Sequence, residues 1–571
     1  MNSERLLAHY GQIADAPDAV ARLRRFILDL AVRGKLVPQD PNDEPASELL
    51  KRIAKEKARL VKAGVARKSE IDPVNEEDAP FSVPSNWRWT RLGSIADWGS
   101  GSTPPRGNLD FYGGGFAWLK SGELNDNRAL AGSEETVTQL AIKKGSFRIN
   151  KPGDVLLAMY GATIGKVAIL AESAVTNQAV CGCTPFAGVF NQFLFLFLLS
   201  QREQFHSASE GGAQPNISKV KIVWTPFPLP PLAEQHRIVA KVDELMALCD
   251  RLEAARAGRE GVRDRLATAS LARLNAPDPE TFQGDARFAL AALPALTTRP
   301  DQIKRLRQTI LNLAVRGKLV PQDETDEPAS ELLKRMIKGR ATLEAAGRIR
   351  KEKGAVPSHY GGEQGFELPS TWTWGRLTEL GQTQTGTSPS SGNPDLFGDF
   401  MPFIKPADLD GNQINYNGPG LSEIGVAHSR LADANSILMV CIGATLGKVN
   451  TTARPVCFNQ QINSLTPFLD GLTAFIALAL KASDFQTLAW SKAGTGTLPI
   501  ISKGKWEVLP IPLPPLAEQH RIVAKVDELM ALSDRLEASL TATAATRRRL
   551  LDALLAEALA PVASRKMEAA E

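Results

Sequence analysis

A heptad pattern of apolar residues occurs twice along the chain, on two copies of one segment. PLPPLAEQHRIVAKVDELMAL runs from Pro228 to Leu248 and again, letter for letter, from Pro512 to Leu532. In both copies apolar residues follow alternating steps of four and three, which is typical of a helix with one apolar seam. Glu234 and Glu518 fall in the first turn, where the helix dipole favours a carboxylate. The predicted seam residues are Ile238, Val242, Leu245, Leu252, Ile522, Val526, Leu529 and Leu536. The pattern predicts two long spacer helices of about 40 residues, each about 60 Å long.

A second repeated block lies earlier in each half of the chain. AVRGKLVPQD occupies 31–40 and 314–323, and DEPASELLKR follows it both times. Gly34 and Gly317 are suited to end one helix, and Pro45 and Pro328 are suited to begin the next. The chain is therefore a tandem duplication, in which each unit has a helical block, a variable body and a long helix.

The variable bodies are predicted to consist of short strands joined by long polar loops. DVLLAMY and SILMVCI are apolar runs of strand length, whereas NQFLFLFLLSQREQF predicts a helix. The tryptophans of the W-x-W motifs are Trp87 with Trp89 and Trp372 with Trp374, and we interpret both pairs as a core face at the start of each body. Because the stretch 275–301 is rich in Ala and Pro, it is predicted to be a linker. The fold class predicted from these patterns is α+β.

Composition and charge narrow the class of protein. The 571 residues are 43% hydrophobic and 23% charged, which is typical of a soluble protein with several domains. The sequence has no apolar run of membrane-spanning length and no secretory signal. Five scattered cysteines suit a reducing compartment. The net charge of +4 is compatible with nucleic-acid binding but does not by itself predict it.

Motifs that resemble catalytic or metal sites fail on spacing. GATIGKV and GATLGKV have three residues between their glycines where a P-loop has four, and Val167 or Val449 replaces the hydroxyl residue after the lysine. We interpret each as a tight turn with a solvated lysine. Cys181 and Cys183 are too close together for a structural zinc pair. The sequence therefore predicts no catalytic residue, no metal site and no bound cofactor.

Polar and basic loop residues that match between the bodies remain as candidates for binding. Lys and Arg neutralise phosphates, and Gln, Asn and Arg can read base edges. A solvated surface role is equally compatible with any single one of them. The candidate DNA-binding residues are Ser102, Thr103, Arg106, Lys120, Lys166, Gln178, Lys219, Lys221, Thr387, Ser388, Lys405, Lys448, Gln460, Lys503 and Lys505.

These motifs, each present twice and in the same order, resemble the specificity subunit of type I restriction-modification enzymes. The resemblance rests on AVRGKLVPQD with DEPASELLKR, the W-x-W motif, the G-S-T-P loop, GATxGKV with its following Asn-Gln pair, and PLPPLAEQHRIV. It covers essentially the whole chain. It implies that each body is a mixed α/β target recognition domain that reads one half of a bipartite double-stranded DNA site. It also implies that the long, coiled-coil-like helices pack antiparallel with pseudo-two-fold symmetry.

The resemblance also implies partners and domain boundaries. The chain would make no bond itself but would join two adenine-methylating modification subunits and ATP-driven restriction subunits in a site-specific deoxyribonuclease complex. S-adenosylmethionine, ATP and Mg are expected on those partners, and the complex is expected in the bacterial cytoplasm with the nucleoid. The expected domains are a helical block (1–80), recognition domain 1 (81–228), a spacer helix (229–274), a linker (275–303), a second helical block (304–365), recognition domain 2 (366–512) and the C-terminal spacer helix (513–571).

Two other classes remain open at this point. A self-contained DNA methyltransferase or nuclease would require a cofactor or metal motif. A non-catalytic coiled-coil scaffold would use its helices to join other proteins and its bodies to bind peptides. Neighbouring reading frames that encode a methylase and a helicase-like motor would distinguish the specificity subunit from both.

Overall fold

The computed structural model describes residues 15–145, 147–210, 215–276, 278, 280–349, 365–494 and 498–559. The chain forms two compact units. The first unit comprises the residues up to Gly258 together with those from Ala544 onward, and the second comprises Arg259–Thr543. Each unit thus contains one variable body, the beginning of one long helix and the end of the other.

The first unit contains a mixture of helices and short strands. Its helices are α1 (Ala19–Val32), α2 (Ala46–Lys62), α3 (Leu92–Ile95), α4 (Gln139–Lys144), α5 (Asn191–Ser200), α6 (Arg202–Ser207), α7 (Lys219–Trp224) and the start of α8 (Leu232–Asn275). Short 3-10 turns lie at Glu76–Asp78, Leu109–Phe111, Ser121–Glu123 and Gly161–Thr163. Its strands are β1 (Arg88–Arg91), β2 (Ala96–Ser100), β3 (Tyr112–Leu119), β4 (Asn127–Leu130), β5 (Glu135–Val137), β6 (Val155–Ala158), β7 (Val167–Leu170), β8 (Ala174–Thr176), β9 (Val180–Pro185) and β10 (Pro226–Leu229).

Three sheets organise the first body. The five-stranded sheet has the order β2-β9-β6-β7-β4, and the three-stranded sheet has the order β5-β3-β8. The pair β1-β10 is antiparallel and places Trp89 opposite Pro228. The body therefore begins and ends on adjacent strands, and the chain continues from β10 directly into α8.

The second unit repeats this plan. Its helices are the end of α8, α9 (Phe282–Leu296), α10 (Pro300–Val315), α11 (Ala329–Ala345), α12 (Leu377–Leu380), α13 (Glu423–Ala427), α14 (Thr473–Lys481), α15 (Ser483–Lys492), α16 (Lys503–Trp506) and most of α17 (Leu516–Leu559). Short 3-10 turns lie at Pro394–Leu396 and Pro406–Asp408. Its strands are β11 (Thr373–Arg376), β12 (Gly381–Thr385), β13 (Phe397–Met401), β14 (Phe403–Ile404), β15 (Arg430–Ala432), β16 (Ile437–Val440), β17 (Val449–Thr451), β18 (Val456–Phe458), β19 (Ile462–Pro467) and β20 (Pro510–Leu513).

The sheets of the second body resemble those of the first, but the larger sheet has four strands instead of five, and β18 rather than β14 is central in the smaller one. Their orders are β12-β19-β16-β17 and β14-β18-β15, with the pair β11-β20 at the base of the body. Trp374 lies opposite Pro512 in that pair, which matches Trp89 and Pro228. The predicted α+β class and tandem duplication are confirmed, as are the strands predicted in DVLLAMY and SILMVCI.

A polar cluster around a buried glutamate joins the repeated sequence blocks within each unit. In the first unit the Trp87 indole N–H donates to Glu234 at 2.9 Å, and the Gln39 amide donates to the same carboxylate at 2.5 Å. Arg237 pairs with Asp43 at 2.6 Å beside them. Since both ends of the body and the helical block converge here, the cluster fixes the body to its long helix. We call it the framework cluster.

The second unit has the same framework cluster. Trp372 donates to Glu518 at 2.9 Å, Gln322 donates at 2.6 Å, and Arg521 pairs with Asp326 at 2.6 Å. Burial raises the pKa of both glutamates. The repeated motifs VPQD, W-x-W and PLAEQHR thus meet in one place, twice. Trp87 and Trp372 are core residues, as predicted, whereas Trp89 and Trp374 are only half-buried.

The heptad prediction requires a correction. We expected the apolar stripe to line a seam between long helices, but Ile238 and Val242 are fully buried in the core of the first unit. Ile522 and Val526 are buried in the core of the second unit in the same way. Leu245 and Leu529 pack against those cores, Leu536 is half-buried and Leu252 is 39% exposed. The stripe is apolar chiefly because each long helix packs on its own recognition body.

Other local predictions can be compared directly with the structure. Gly34 and Gly317 both have φ of 65°, the left-handed conformation expected just after a helix end. Helices α2 and α11 begin directly after Pro45 and Pro328. The predicted linker contains α9, whose Ala289 packs against Leu271 of α8. Along the part of the chain that the structure describes, no helix is both long and apolar enough to cross a membrane.

Candidate nucleic-acid interface

In the first unit the G-S-T-P loop lies against the Asn-Gln pair. The Gly101 and Ser102 amides donate to Val180 O at 3.1 Å and to Thr176 O at 2.8 Å. A Cβ on Gly101 would lie 2.1 Å from that Thr176 oxygen, so the close approach requires glycine. The Thr103 hydroxyl donates to the Gln178 side chain. The loop and the pair, predicted separately, form one exposed polar surface.

The second unit builds the same surface from matching residues. The Thr387 amide donates to Phe458 O at 3.0 Å, and Gly386 lies as close to the backbone of Asn459 as Gly101 does to that of Thr176. The Ser388 hydroxyl donates to Gln460 Oε1 at 2.5 Å. The bodies differ in most of their sequence, yet both keep this contact. We call the two surfaces loop site 1 and loop site 2.

A lysine lies beside the Asn-Gln pair in each loop site. Lys120 follows β3, whose last residue accepts the Asn177 amide at 2.9 Å, and Lys405 follows β14, whose last residue accepts the Asn459 amide at 3.0 Å. Lys120 is ion-paired with Glu135 at 2.7 Å. Lys405 is exposed, with its ammonium 5.8 Å from the centre of the Phe403 ring. The two sites therefore share a lysine position but differ in local charge.

The GATxGKV motifs are tight turns between strands, as predicted. The lysines, however, are not simply solvated: Lys166 donates to Asn125 Oδ1 at 2.9 Å, and Lys448 donates to Leu409 O at 2.9 Å. Both side chains hold a neighbouring loop of their own body. These hydrogen bonds indicate that the two lysines stabilise the fold of their own body.

The remaining predicted lysines lie at the starts of α7 and α16. Backbone bridges place these starts beside the GATxGKV turns. Lys221 pairs with Glu210 at 2.5 Å, Lys503 with Glu507, and Lys505 donates to Lys492 O at 3.3 Å. Burial of Cys181 raises the pKa of its thiol to about 12. The positive charge of the half-buried Lys219 lowers that pKa and so offsets part of the effect. In the first body the Met159 amide donates to Ala179 O at 2.8 Å, so the GATIGKV turn of that body lies next to loop site 1.

The structure adds residues that sequence reasoning missed. Glu135 accepts from Arg106 at 2.7 Å as well as pairing with Lys120, and these two bonds lower its pKa. Tyr112 and Trp118 pack beneath Arg106. Glu135 could not be predicted from the sequence, because it reaches Arg106 only when β5 pairs with β3. No spacing of residues along the chain indicates that pairing.

Nothing in the described ranges forms a cation site. No group of three or more His, Cys, Asp or Glu side chains in those ranges could hold a metal ion. All five cysteines are buried and unpaired by disulfides. The residues described here thus offer loops rich in donors and cations, which suit a polyanion, and no set of ligands that would suit a metal.

Comparison with protein families gives one match in each half of the chain. The model of the type I restriction modification DNA specificity domain matches residues 84–257 and 369–544, which together exceed half of the sequence. Each match contains one variable body and the first part of its long helix. The family match therefore covers the body and the first part of the long helix in each duplicated unit, and begins after the helical block.

Individual relatives extend the similarity to nearly the whole chain. The type I restriction enzyme EcoAI specificity subunit of Escherichia coli is 30% identical, over 94% of this chain and 93% of its own. The EcoEI specificity subunit of the same species is 31% identical, over 95% and 94%. A chain from a study of complex assembly and conformational transition of the type I R-M system has a TM-score of 0.50 at 21% identity, over 84% of this chain and 99% of its own. That structure supports the fold alone.

Proposed function

The chain belongs to the type I restriction-modification DNA specificity family, and from that premise we propose how its parts divide the work. It is the sequence-specific DNA-binding subunit of a type I restriction-modification complex and has no catalytic role of its own. The first body reads one half of a bipartite target, and the second body reads the other half. No observation favours the two alternative functions, a coiled-coil scaffold or a self-contained enzyme.

One observation carries this division of labour. Loop sites 1 and 2 have the same backbone frame and the same hydroxyl-to-glutamine contact, although the bodies around them have diverged. A shared frame with different side chains is what two readers of different half-sites require. Phosphate contacts position a protein on DNA, whereas base contacts carry the sequence information.

We assign the candidate residues to roles on this basis. Lys120 and Lys405, together with the hydroxyls of the G-S-T-P loops, bind phosphates of their half-sites. We assign base-edge contacts to Gln178 and Gln460, whose side chains are exposed in the two loop sites. Lys166 and Lys448 serve the fold of the body. The recognition domains span 81–228 and 366–512, and the blocks 1–80, 229–274, 275–303, 304–365 and 513–571 form the framework between and beside them.

The partners follow from the exposed face of the repeated helix segment. Its buried face is explained by the framework cluster and the core, but residues exposed in both copies are also identical. Since exposed positions diverge most readily, a requirement common to both copies must keep them alike. They include Ala240 and Ala524, Asp243 and Asp527, Glu244 and Glu528, Ala247 and Ala531, Leu248 and Leu532, and Arg251 and Arg535. Two identical modification subunits that dock in the same way on the two copies supply such a requirement.

The rest of the complex is part of the same proposal. Restriction subunits join the assembly, and S-adenosylmethionine, ATP and Mg bind to the partner subunits. The complex works in the bacterial cytoplasm, where the nucleoid offers its double-stranded DNA substrate and where it acts against invading DNA.

A binding selection tests the proposal. The chain is purified with its modification subunit, and bound duplexes are selected from a randomised DNA library at fixed salt, with the modification subunit alone as the control. We expect two short defined sequences separated by a gap of fixed length and free sequence. A single continuous motif, or no enrichment over the control by an intact complex, would contradict it.

A further inference from the structure

Arg106 occupies a fixed position in loop site 1. Its Nη1 is 2.7 Å from Glu135 Oε2, and its guanidinium carbon lies 5.2 Å from the ring centres of both Tyr112 and Trp118. The side chain is nevertheless 59% exposed. An arginine that rests on two aromatic rings, held by a carboxylate at one nitrogen, keeps N–H donors available to a ligand.

The loop that carries Arg106 is held in place by the same two rings. The Tyr112 hydroxyl donates to Pro104 O at 2.7 Å, and the Trp118 indole donates to Ser102 O at 3.1 Å. Asn108 closes the loop by accepting the Asp110 amide at 3.1 Å. Because the backbone on both sides of Arg106 is anchored, binding DNA would cost little ordering entropy there.

Loop site 2 keeps the backbone register of this loop but lacks the arginine, and Phe397 and Phe403, which have no side-chain donor, stand where the first body has Tyr112 and Trp118. Asn393 accepts the Asp395 amide at 3.1 Å, as Asn108 does in the first body. Phe397 forms a backbone bridge with Leu421, and Tyr112 pairs in the same way with Val137 in the first body. The two bodies can therefore be aligned residue by residue in this region. In that register Ser391 stands where the first body has Arg106, and Pro419 stands where it has Glu135. The lysine is retained in both bodies, and the arginine with its carboxylate is present in one.

We propose that Arg106 is a specificity-determining residue that reads a guanine in the half-site of the first body, with Glu135 as its positioning residue. The inference rests on the proposed function and deepens it. A phosphate contact serves every sequence and is useful to both bodies, as the shared lysine is. Arg106 and Ser391 occupy the same exposed position of the two loops but differ in chemistry, so this position suits the contact that must differ between the half-sites, namely the contact to a base. Arginine bound to guanine N7 and O6 is the commonest specific pairing in the major groove.

The charges around Arg106 give Glu135 a second effect. The carboxylate neutralises part of the local positive charge while holding the guanidinium in one orientation. Its removal should therefore strengthen attraction to any DNA and weaken discrimination at one base. A residue that only supported the fold would not move these two properties in opposite directions.

The test is the binding selection applied to variants of the intact complex. Arg106→Ala and Arg106→Lys are compared with wild type and with Arg59→Ala, which removes a still more exposed arginine on α2. We expect both Arg106 variants to lose guanine preference at one position of one half-site, by about 5- to 150-fold. The other half-site should be unchanged, and Arg59→Ala should match wild type. Glu135→Gln should lower preference at the same position and raise binding to non-target DNA.

Three results would overturn the inference. Equal weakening for every sequence by Arg106→Ala, with Arg106→Lys restoring it, would make Arg106 a phosphate contact. An unchanged motif and affinity in both Arg106 variants would remove it from the interface. If the wild-type complex selects no motif, the proposed function fails and the inference fails with it. The first two results leave the wild-type motif intact and overturn the inference alone, so the two failures are distinguishable.

Discussion

Replacing Glu234 tests whether the repeated motifs exist to fix each recognition body to its long helix. The Glu234 carboxylate is fully buried and accepts from the Trp87 indole and the Gln39 amide. Glu234→Ala leaves the buried Trp87 N–H without an acceptor, whereas Glu234→Gln keeps the shape and one acceptor, and the Gln39 amide can reverse to match. The alanine variant should therefore be the less stable of the two.

The expected cost follows from the one buried donor that would be left unsatisfied, the Trp87 indole N–H. A buried donor that loses its partner costs about 1–3 kcal/mol, so Glu234→Ala should destabilise the first unit by at least that amount, since the exposed Gln39 amide can turn to solvent. Glu234→Gln should cost less than about 1.5 kcal/mol. In a unit of this size a loss of 1 kcal/mol lowers Tm by about 2–4 °C, so the alanine variant should melt roughly 2–12 °C lower.

The assay is differential scanning calorimetry of the full chain, with Glu518→Ala as the matched variant. Each alanine variant should lower the transition of its own unit. A double-mutant cycle between Glu234→Ala and Trp87→Phe should show non-additive effects, since the side chains share one hydrogen bond. Equal melting of Glu234→Ala and Glu234→Gln would refute the reasoning.

Three further predictions concern pH, docking and DNA. Because burial raises the folded-state pKa of Glu234 and Glu518 above the ordinary 4.5, their stabilising contribution is complete below that value and is lost as pH rises through the folded-state pKa. Denaturant titrations should thus show that the double Gln variant gains stability relative to wild type over that window, and a difference independent of pH would contradict this. Leu248→Asp with Leu532→Asp should leave folding intact, because these side chains are 38% and 45% exposed, but abolish co-purification of the modification subunit. Retained co-purification would place docking elsewhere. Lys405→Ala should weaken binding to all sequences alike and reduce the slope of log K against log salt by about 1, whereas a loss at one base position alone would make Lys405 a base reader.

The sequence predicted the duplication and its helix ends well because those signals are local. Gly34 and Gly317 needed a left-handed backbone, and apolar runs of strand length became strands. The function followed from the order of the motifs, which requires no knowledge of their contacts. Glu234 was assigned to the helix dipole, however, and its main role as a buried acceptor depends on Trp87, which is distant along the chain.

The details of the sites were less predictable because strand pairing brings distant residues together. The heptad stripe was read correctly as a helix face but assigned to the wrong neighbour, since spacing does not show what a face packs against. Lys166 was expected in solvent, and its bond to Asn125 depends on a loop that folds back on β7. Glu135 was missed for the same reason, although Arg106 had been singled out.

The central claim is that this chain supplies the sequence specificity of a methylating complex through two half-site readers. The most direct test is to co-express it with the modification subunit from a neighbouring reading frame and to map methylated adenines by single-molecule sequencing. We predict methylation at a split motif, with two short defined halves and an unspecified gap between them. An intact, soluble complex that adds no methylation, or methylates one continuous motif, would contradict the claim.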